Sequence, residues 1–210
     1  VDRFPQADDP DCVIADLQDM QVLERAMQGI DVVVHLAATS DEAPFIENLV
    51  PNNVVGLYNM LEAARRAGVR RFVFASTVQA VSAYPREKSI AAEDPVRPST
   101  MYGATKAFGE ALGSFYHDRH GLEFIAVRIG AFQQYDSPLL RKHVGLREIW
   151  LSPGDAVRLL HLAIERPGIG CAIVFATSKT TRERLSLASA REILGYEPGD
   201  DVADIPLEGE

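Results

Sequence analysis

The chain has 210 residues, 47% of them apolar and 24% charged, the size and balance of one soluble globular domain. No apolar run approaches the roughly eighteen residues of a membrane span, and a formal net charge of −9 repels nucleic-acid phosphates and anionic lipid. The two cysteines, Cys12 and Cys171, have neither disulfide-framework nor metal-ligand spacing, so the expectation is a cytoplasmic protein without a bound metal, nucleic-acid partner or membrane contact.

The opening, residues 1–11, is polar and lacks the basic and apolar regions of a signal peptide. Residues 12–15 read as the end of a strand, and residues 19–28 carry helical spacing (Val22, Leu23, Ala26, Met27) closed by Gly29. Asp31-Val-Val-Val-His-Leu36 is a β-branched run of the kind buried on both faces of a parallel sheet, and residues 37–41 are a small, polar exit from it. A long helix is predicted over 47–67, stopped by Gly68, and Arg71-Phe-Val-Phe-Ala75 is the next strand. Pro85, Pro95 and Pro98 make the stretch from 76 to 99 a loop at the edge of the site. Ser99 or Thr100 caps a helix running to about residue 119, before Gly121, and residues 122–129 form another buried strand. Residues 130–147 show no period, 152–165 form an amphipathic helix, 171–176 a short strand and 185–194 a last helix before Gly195.

Strands alternating with helices imply right-handed crossovers and an α/β, doubly wound parallel sheet. Ligands of such sheets bind beyond the carboxyl ends of the strands. That rule selects the surroundings of Asp16, the stretch from His35 to Ser40, the stretch from Ser76 to Gln79, and residues 130–134 including Ala131.

Tyr102-Gly-Ala-Thr-Lys106 sets a phenol and an ammonium four residues apart on one helix face. A lysine beside a tyrosine favours the phenolate, which suits proton exchange with an alcohol; the same spacing also occurs in ordinary helix-surface pairs. Thr77, at a strand end, is able to hydrogen-bond a substrate oxygen or simply to cap its loop. Asn53 sits inside a helical stretch, where an amide needs a partner or faces solvent. His117 and His120 read as a solvated pair at a helix end, so no metal is assigned. His35, Ser40 and Asp41 lie too close together at a strand end to build a hydrolytic triad.

The chain resembles the extended short-chain dehydrogenase/reductase (NAD-dependent epimerase/dehydratase) family. The matching pieces, in family order, are Ala15-Asp16-Leu17, His35-Leu-Ala-Ala38, Asn53-x-x-Gly56 with Leu61-Glu-Ala-Ala-Arg65, Phe74-Ala-Ser76-Thr77, Pro98-x-x-x-Tyr102-Gly-x-x-Lys106 with Glu110, and Val127-Arg-Ile-Gly130. The resemblance implies a Rossmann-like core over 1–130, a small substrate region over 131–210 integrated with it, and a nicotinamide dinucleotide, NAD with NADP as the alternative. It implies Tyr102 as acid/base, Lys106 on the nicotinamide ribose, Thr77 as the triad hydroxyl and Asn53 in support. Asp16 and Leu17 would meet the adenine, and Leu36, Ala37, Ala38 and Ser76 would line the dinucleotide.

Within the family the chain is most similar to the uronate dehydrogenase group, through Tyr84-Pro85-Arg86, Arg128-Ile-Gly130 and Trp150-Leu-Ser152. The implied substrate is a sugar or sugar acid, met by Ser40, Thr77, Val78, Gln79, Ala131 and Arg147, in a homo-oligomer. Thr77, Val78 and Gln79 stand where the group has Ser-Asn-His, which alters two polar substrate contacts. Nothing before Asp16 contains the family's Gly-rich turn, so the first strand and that turn are expected to lie upstream of the sequence. The implied reaction is hydride transfer; the alternatives are a sugar or nucleotide-sugar epimerase/dehydratase and a non-catalytic binding protein that has lost its cofactor.

Overall fold

The computed structural model describes residues 1–2 and 11–208; most of the polar opening therefore lies outside the described residues. A four-stranded parallel sheet runs in the order β1-β2-β3-β6, with β1 at Val32–His35, β2 at Arg71–Thr77, β3 at Glu123–Ile129 and β6 at Cys171–Ala176. The register pairs Val32 with Arg71, Thr77 with Ile129 and Ile129 with Ala176, so the carboxyl ends of three strands are level. All seven residues of β2 are buried. Its β-branched and aromatic side chains suit a central strand covered on both faces.

Alternate residues of each strand feed different cores, as the two-residue repeat of a strand requires. Phe72, Phe74 and Phe124 face α1 (Met20–Ala26), α2 (Gly56–Ala67) and α3 (Met101–His120). Val73, Ile125, Val127 and Val174 face α6 (Pro153–Glu165) and the short segment Ala190–Leu194. The sheet is doubly wound, as the alternation in the sequence implies.

The ends of α3 follow the sequence closely. Thr100 accepts a hydrogen bond from the Gly103 amide at 3.0 Å, and Gly121, at φ 70°, closes the helix in the left-handed region. Gly113 permits α3 to touch the sheet: a Cβ there would lie 2.0 Å from the Phe124 ring.

Several elements depart from the sequence expectation. The helix expected over 47–67 divides into a wide π-helical stretch, Phe45–Val55, and α2. Pro51 causes the division, since it lacks an N–H and crowds the preceding turn; the Gly56 amide reaches back five residues to the Pro51 carbonyl. Residues 12–15 form no strand among the described residues; Ile14 makes one isolated parallel bridge to Asp2. The helix expected over 185–194 shrinks to Ala190–Leu194, because residues 185 and 186 instead bridge the Ile90 backbone. The aperiodic stretch after Gly130 contains β4 (Ala131–Phe132), α4 (Pro138–Lys142) and α5 (Val144–Arg147), all too short to generate a period, and β4 pairs with β5 (Trp150–Leu151).

Among the described residues β1 has one strand neighbour, β2. Its other edge runs along a groove of about 540 Å³ whose lining includes Asp2, Leu17, Met27, Val33, His35 and Leu36. Among the described residues no helix is long and apolar enough to cross a membrane.

Candidate active site

The carboxyl end of β2 organises the site. Thr77 accepts the Gln79 amide at 3.2 Å, which turns the chain into the short 3-10 segment Val78–Val81, and its hydroxyl is near enough to the Tyr102 phenol to favour its ionised form. Tyr102 and Lys106 lie one turn apart on α3. Gly103 brings that first turn against the loop: a Cβ at this position would fall 2.5 Å from the Gln79 carbonyl oxygen. The structure thus gathers Thr77, Tyr102 and Lys106 at one strand end.

The electrostatics differ from the sequence expectation. The Lys106 ammonium, 3% exposed, donates to the Ala75 carbonyl at 2.8 Å and sits 5.7 Å from the centre of the Tyr102 ring. Burial lowers its pKa to about 8. The Tyr102 phenol is held above its ordinary value, first by desolvation and then by the Asp41 carboxylate, with the Thr77 hydrogen bond opposing them. The lowering of the phenol by Lys106 is therefore not seen here: the ammonium is turned onto a strand carbonyl, and removal of the ring from water outweighs its charge.

Asn53 resolves its alternatives in favour of a partner. It is 4% exposed; its Oδ1 accepts the Thr39 amide at 2.8 Å, and its Nδ2 donates to the Thr39 carbonyl at 3.0 Å and to Thr105 Oγ1 at 3.2 Å. It touches neither Tyr102 nor Lys106 in these bonds. Instead it ties the exit of β1 to α3.

Ala15, Leu17, Ala37, Ala38, Thr39 and Asn52 line a groove of about 300 Å³ beside β1. The small side chains of Ala15, Ala37 and Ala38 leave the strand-end backbone open to a flat ring or a ribose, and Lys106 brings ammonium donors to the neighbouring strand end. Asp16 lies exposed at this side and accepts the Gln18 amide at 3.0 Å. Leu36, 57% exposed, lines the larger groove instead. The residues present fit the adenosine and nicotinamide ends of a dinucleotide.

Ser76 is not brought to this groove. The strand's alternation turns its hydroxyl inward, where it donates to Glu110 Oε1 at 2.7 Å. Glu110 in turn holds Arg128 through two hydrogen bonds of 2.9 Å, both residues being buried. This network lies one turn beyond Lys106 and was not expected; the signal for it is a charged residue inside the apolar run of residues 122–129.

The substrate candidates divide as well. Gln79 and Thr77 face the site, Ser40 is exposed on the β1 exit, and Val78 packs against the core. Ala131 sits in β4, held by its amide to the Ile149 carbonyl. Arg147 does not reach the site: its guanidinium is buried and donates to the carbonyls of Leu140, Val202 and Ile205. His117 and His120 are likewise spent locally, on the Leu122 carbonyl and the Tyr116 ring.

Residues 1–132 match the family model described as the NAD dependent epimerase/dehydratase family. The chain belongs to this family. It is 36% identical to a uronate dehydrogenase of Pseudomonas syringae pv. tomato over 79% of its own length and 58% of that relative's, so it spans under two thirds of that protein. It is 36% identical to the L-arabinose 1-dehydrogenase (NAD(P)(+)) of Haloferax volcanii, over 93% of this chain and 84% of the other. Among solved structures, a uronate dehydrogenase from Agrobacterium tumefaciens complexed with NAD superposes with a TM-score of 0.83 at 33% identity, over 92% of this chain and 70% of that one. The parallel sheet is that of the Rossmann-like fold of these neighbours.

Proposed function

We propose that the protein is an NAD-dependent oxidoreductase acting on a secondary or hemiacetal hydroxyl of a sugar or sugar acid. The observation that carries this reading is the convergence of Thr77, Tyr102 and Lys106 beside the groove lined by Leu17, Ala37 and Ala38.

NAD, when bound, supplies the hydride acceptor. The chain's own part is to bind, orient and move a proton. Leu17, Ala37 and Ala38 receive the dinucleotide, and Lys106 is the donor to its nicotinamide ribose. Thr77 Oγ1 donates a hydrogen bond to the substrate oxygen while Tyr102 Oη, once ionised, takes the hydroxyl proton, a transfer that the raised phenol pKa places on the alkaline side. Asn53 acts as a positioning residue, since it fixes the Thr39 backbone at the edge of the groove. The residues after Gly130 complete the sugar pocket.

The test is NADH formation, followed by absorbance, with a panel of aldoses and uronates and the full-length protein. Tyr102→Phe keeps the ring and is expected to lower kcat by at least about a hundredfold with little change in NAD affinity. Net NADH separates the oxidoreductase from an epimerase, which returns its hydride. Unchanged turnover in Tyr102→Phe would remove the acid/base assignment.

A further inference from the structure

We propose that Asp41 sets the charge selectivity of the sugar pocket, so that the protein takes an uncharged aldose in preference to a uronate. This rests on the oxidoreductase reading above and narrows its substrate class.

Asp41 has an unusual backbone. At φ 62° it is the one positive-φ residue other than glycine among the described residues. The left-handed region is costly for most side chains, least so for Asn and Asp, and needs surrounding structure to hold it. Here the side chain is anchored at the site. Its Oδ1 accepts from Gln79 Nε2 at 3.3 Å, and Gln79 Oε1 accepts from Thr100 Oγ1 at 2.8 Å. Thr100 is the cap of α3, two residues before Tyr102, so the bonds link the β1 exit to the catalytic helix. The adjacent Glu42 adds a second carboxylate on the same side, accepting the Met101 amide at 2.5 Å.

The Asp41 charge reaches the reacting atoms, since the Tyr102 phenol is raised partly by it. Three of the chain's arginines are already engaged elsewhere. Arg147 is spent on backbone carbonyls, Arg128 on Glu110, and Arg86 on Glu148 at 2.7 Å. A sugar carboxylate entering here meets Asp41 and Glu42 with those three guanidinium groups already paired. A neutral polyol instead meets carboxylate acceptors and the Gln79 amide, groups suited to hydroxyls.

The experiment compares kcat/KM for D-galactose with D-galacturonate and for D-glucose with D-glucuronate, using the full-length protein and NAD. Each pair differs only in having a terminal carbinol or a carboxylate. The expected result is that at least one aldose exceeds its uronate by tenfold or more. Asp41→Asn keeps a side chain that tolerates φ 62° and pairs with Gln79 but removes the charge. It is expected to narrow that ratio on the order of tenfold, mainly through the uronate KM. Added salt should lower the uronate KM of the wild type more than that of Asp41→Asn, because screening acts on the charge. Uronate turnover equal to or above aldose turnover overturns the proposal while leaving the oxidoreductase reading standing, and so does an unchanged ratio in Asp41→Asn. If calorimetry shows NAD bound and no sugar of either class yields NADH, both readings fall.

Discussion

His35 is a buried histidine at the carboxyl end of β1. It is 3% exposed, its ring stacked near Phe74 at 6.2 Å, and burial first, then the Lys106 charge, lowers its pKa from 6.5 to about 3. Between those values the unfolded chain binds a proton that the folded chain refuses, so stability rises with pH in that window and is lost on acidification from 6.5 towards 3. His35→Phe keeps an aromatic ring and removes this term. Urea titrations at pH values from 7 to 4 should show a shallower loss in the variant, with the single-group slope bounded by about 1.4 kcal/mol per pH unit. Equal slopes would mean that other groups carry the acid sensitivity. Lys106 has the same sign, its pKa lowered from 10.5 to about 8 by burial, so its charged form burdens the fold at neutral pH and the burden lifts as pH rises through that interval. Lys106→Met should raise stability at pH 7 by about 1 kcal/mol, the desolvation relieved minus the hydrogen bond lost at Ala75. The same substitution is expected to weaken NAD binding. A variant less stable than wild type and fully active would show the lysine to be structural.

At the scale of elements, α3 joins catalysis to the core, because one helix carries Tyr102 and Lys106 on its first turns and Gly109 and Gly113 where it crosses the sheet. A Cβ at Gly113 would lie 2.0 to 2.3 Å from three atoms of the Phe124 ring, which is itself 1% exposed and stacked on Phe72 and Phe74. Alanine favours an isolated helix over glycine by about 1 kcal/mol, while overpacking a core costs about 1–3 kcal/mol. Steric crowding should win. Gly113→Ala is expected to lower the urea midpoint, and because the helix must tilt away from β3 it should also reduce kcat by displacing Tyr102 from Thr77. A stability gain in that variant would show that Phe124 rotates freely out of the way. The Glu110–Arg128 pair holds the same helix from the other side of Lys106, through a buried bidentate contact joined by Ser76. Such pairs fix geometry more than they add stability, since desolvation offsets their attraction.

At the scale of the whole molecule, what was legible in the sequence is what local chemistry decides. The β-branched run at Val32–His35 and the capped helix between Thr100 and Gly121 declare themselves through side-chain shape and backbone preference, and so does the order of strands and helices. The direction of Lys106, the inward turn of Ser76 and the use of Arg147 on backbone carbonyls depend on which face is buried, which no short pattern contains. Pro51 is visible in the sequence, yet whether it breaks a helix or widens one turn is settled by the packing of Leu49 and Asn53 on either side. The sheet offers a last consequence of this kind. β2 lies between β1 and β3 with every residue buried, whereas among the described residues β1 pairs with β2 alone and its far edge borders the groove of about 540 Å³. In a parallel ladder alternate amides of β1 point to β2 and the others point to that groove. Local opening needs less free energy where fewer hydrogen bonds and apolar contacts must separate. Amide exchange of the 210-residue chain should therefore be slowest in β2 and β3 and measurably faster in β1, with the fastest β1 amides being those at alternate positions. Protection of β1 equal to that of β2 would mean that the edge is covered in solution, by a second copy or by the chain itself, and a concentration series of the exchange rates would tell these two apart.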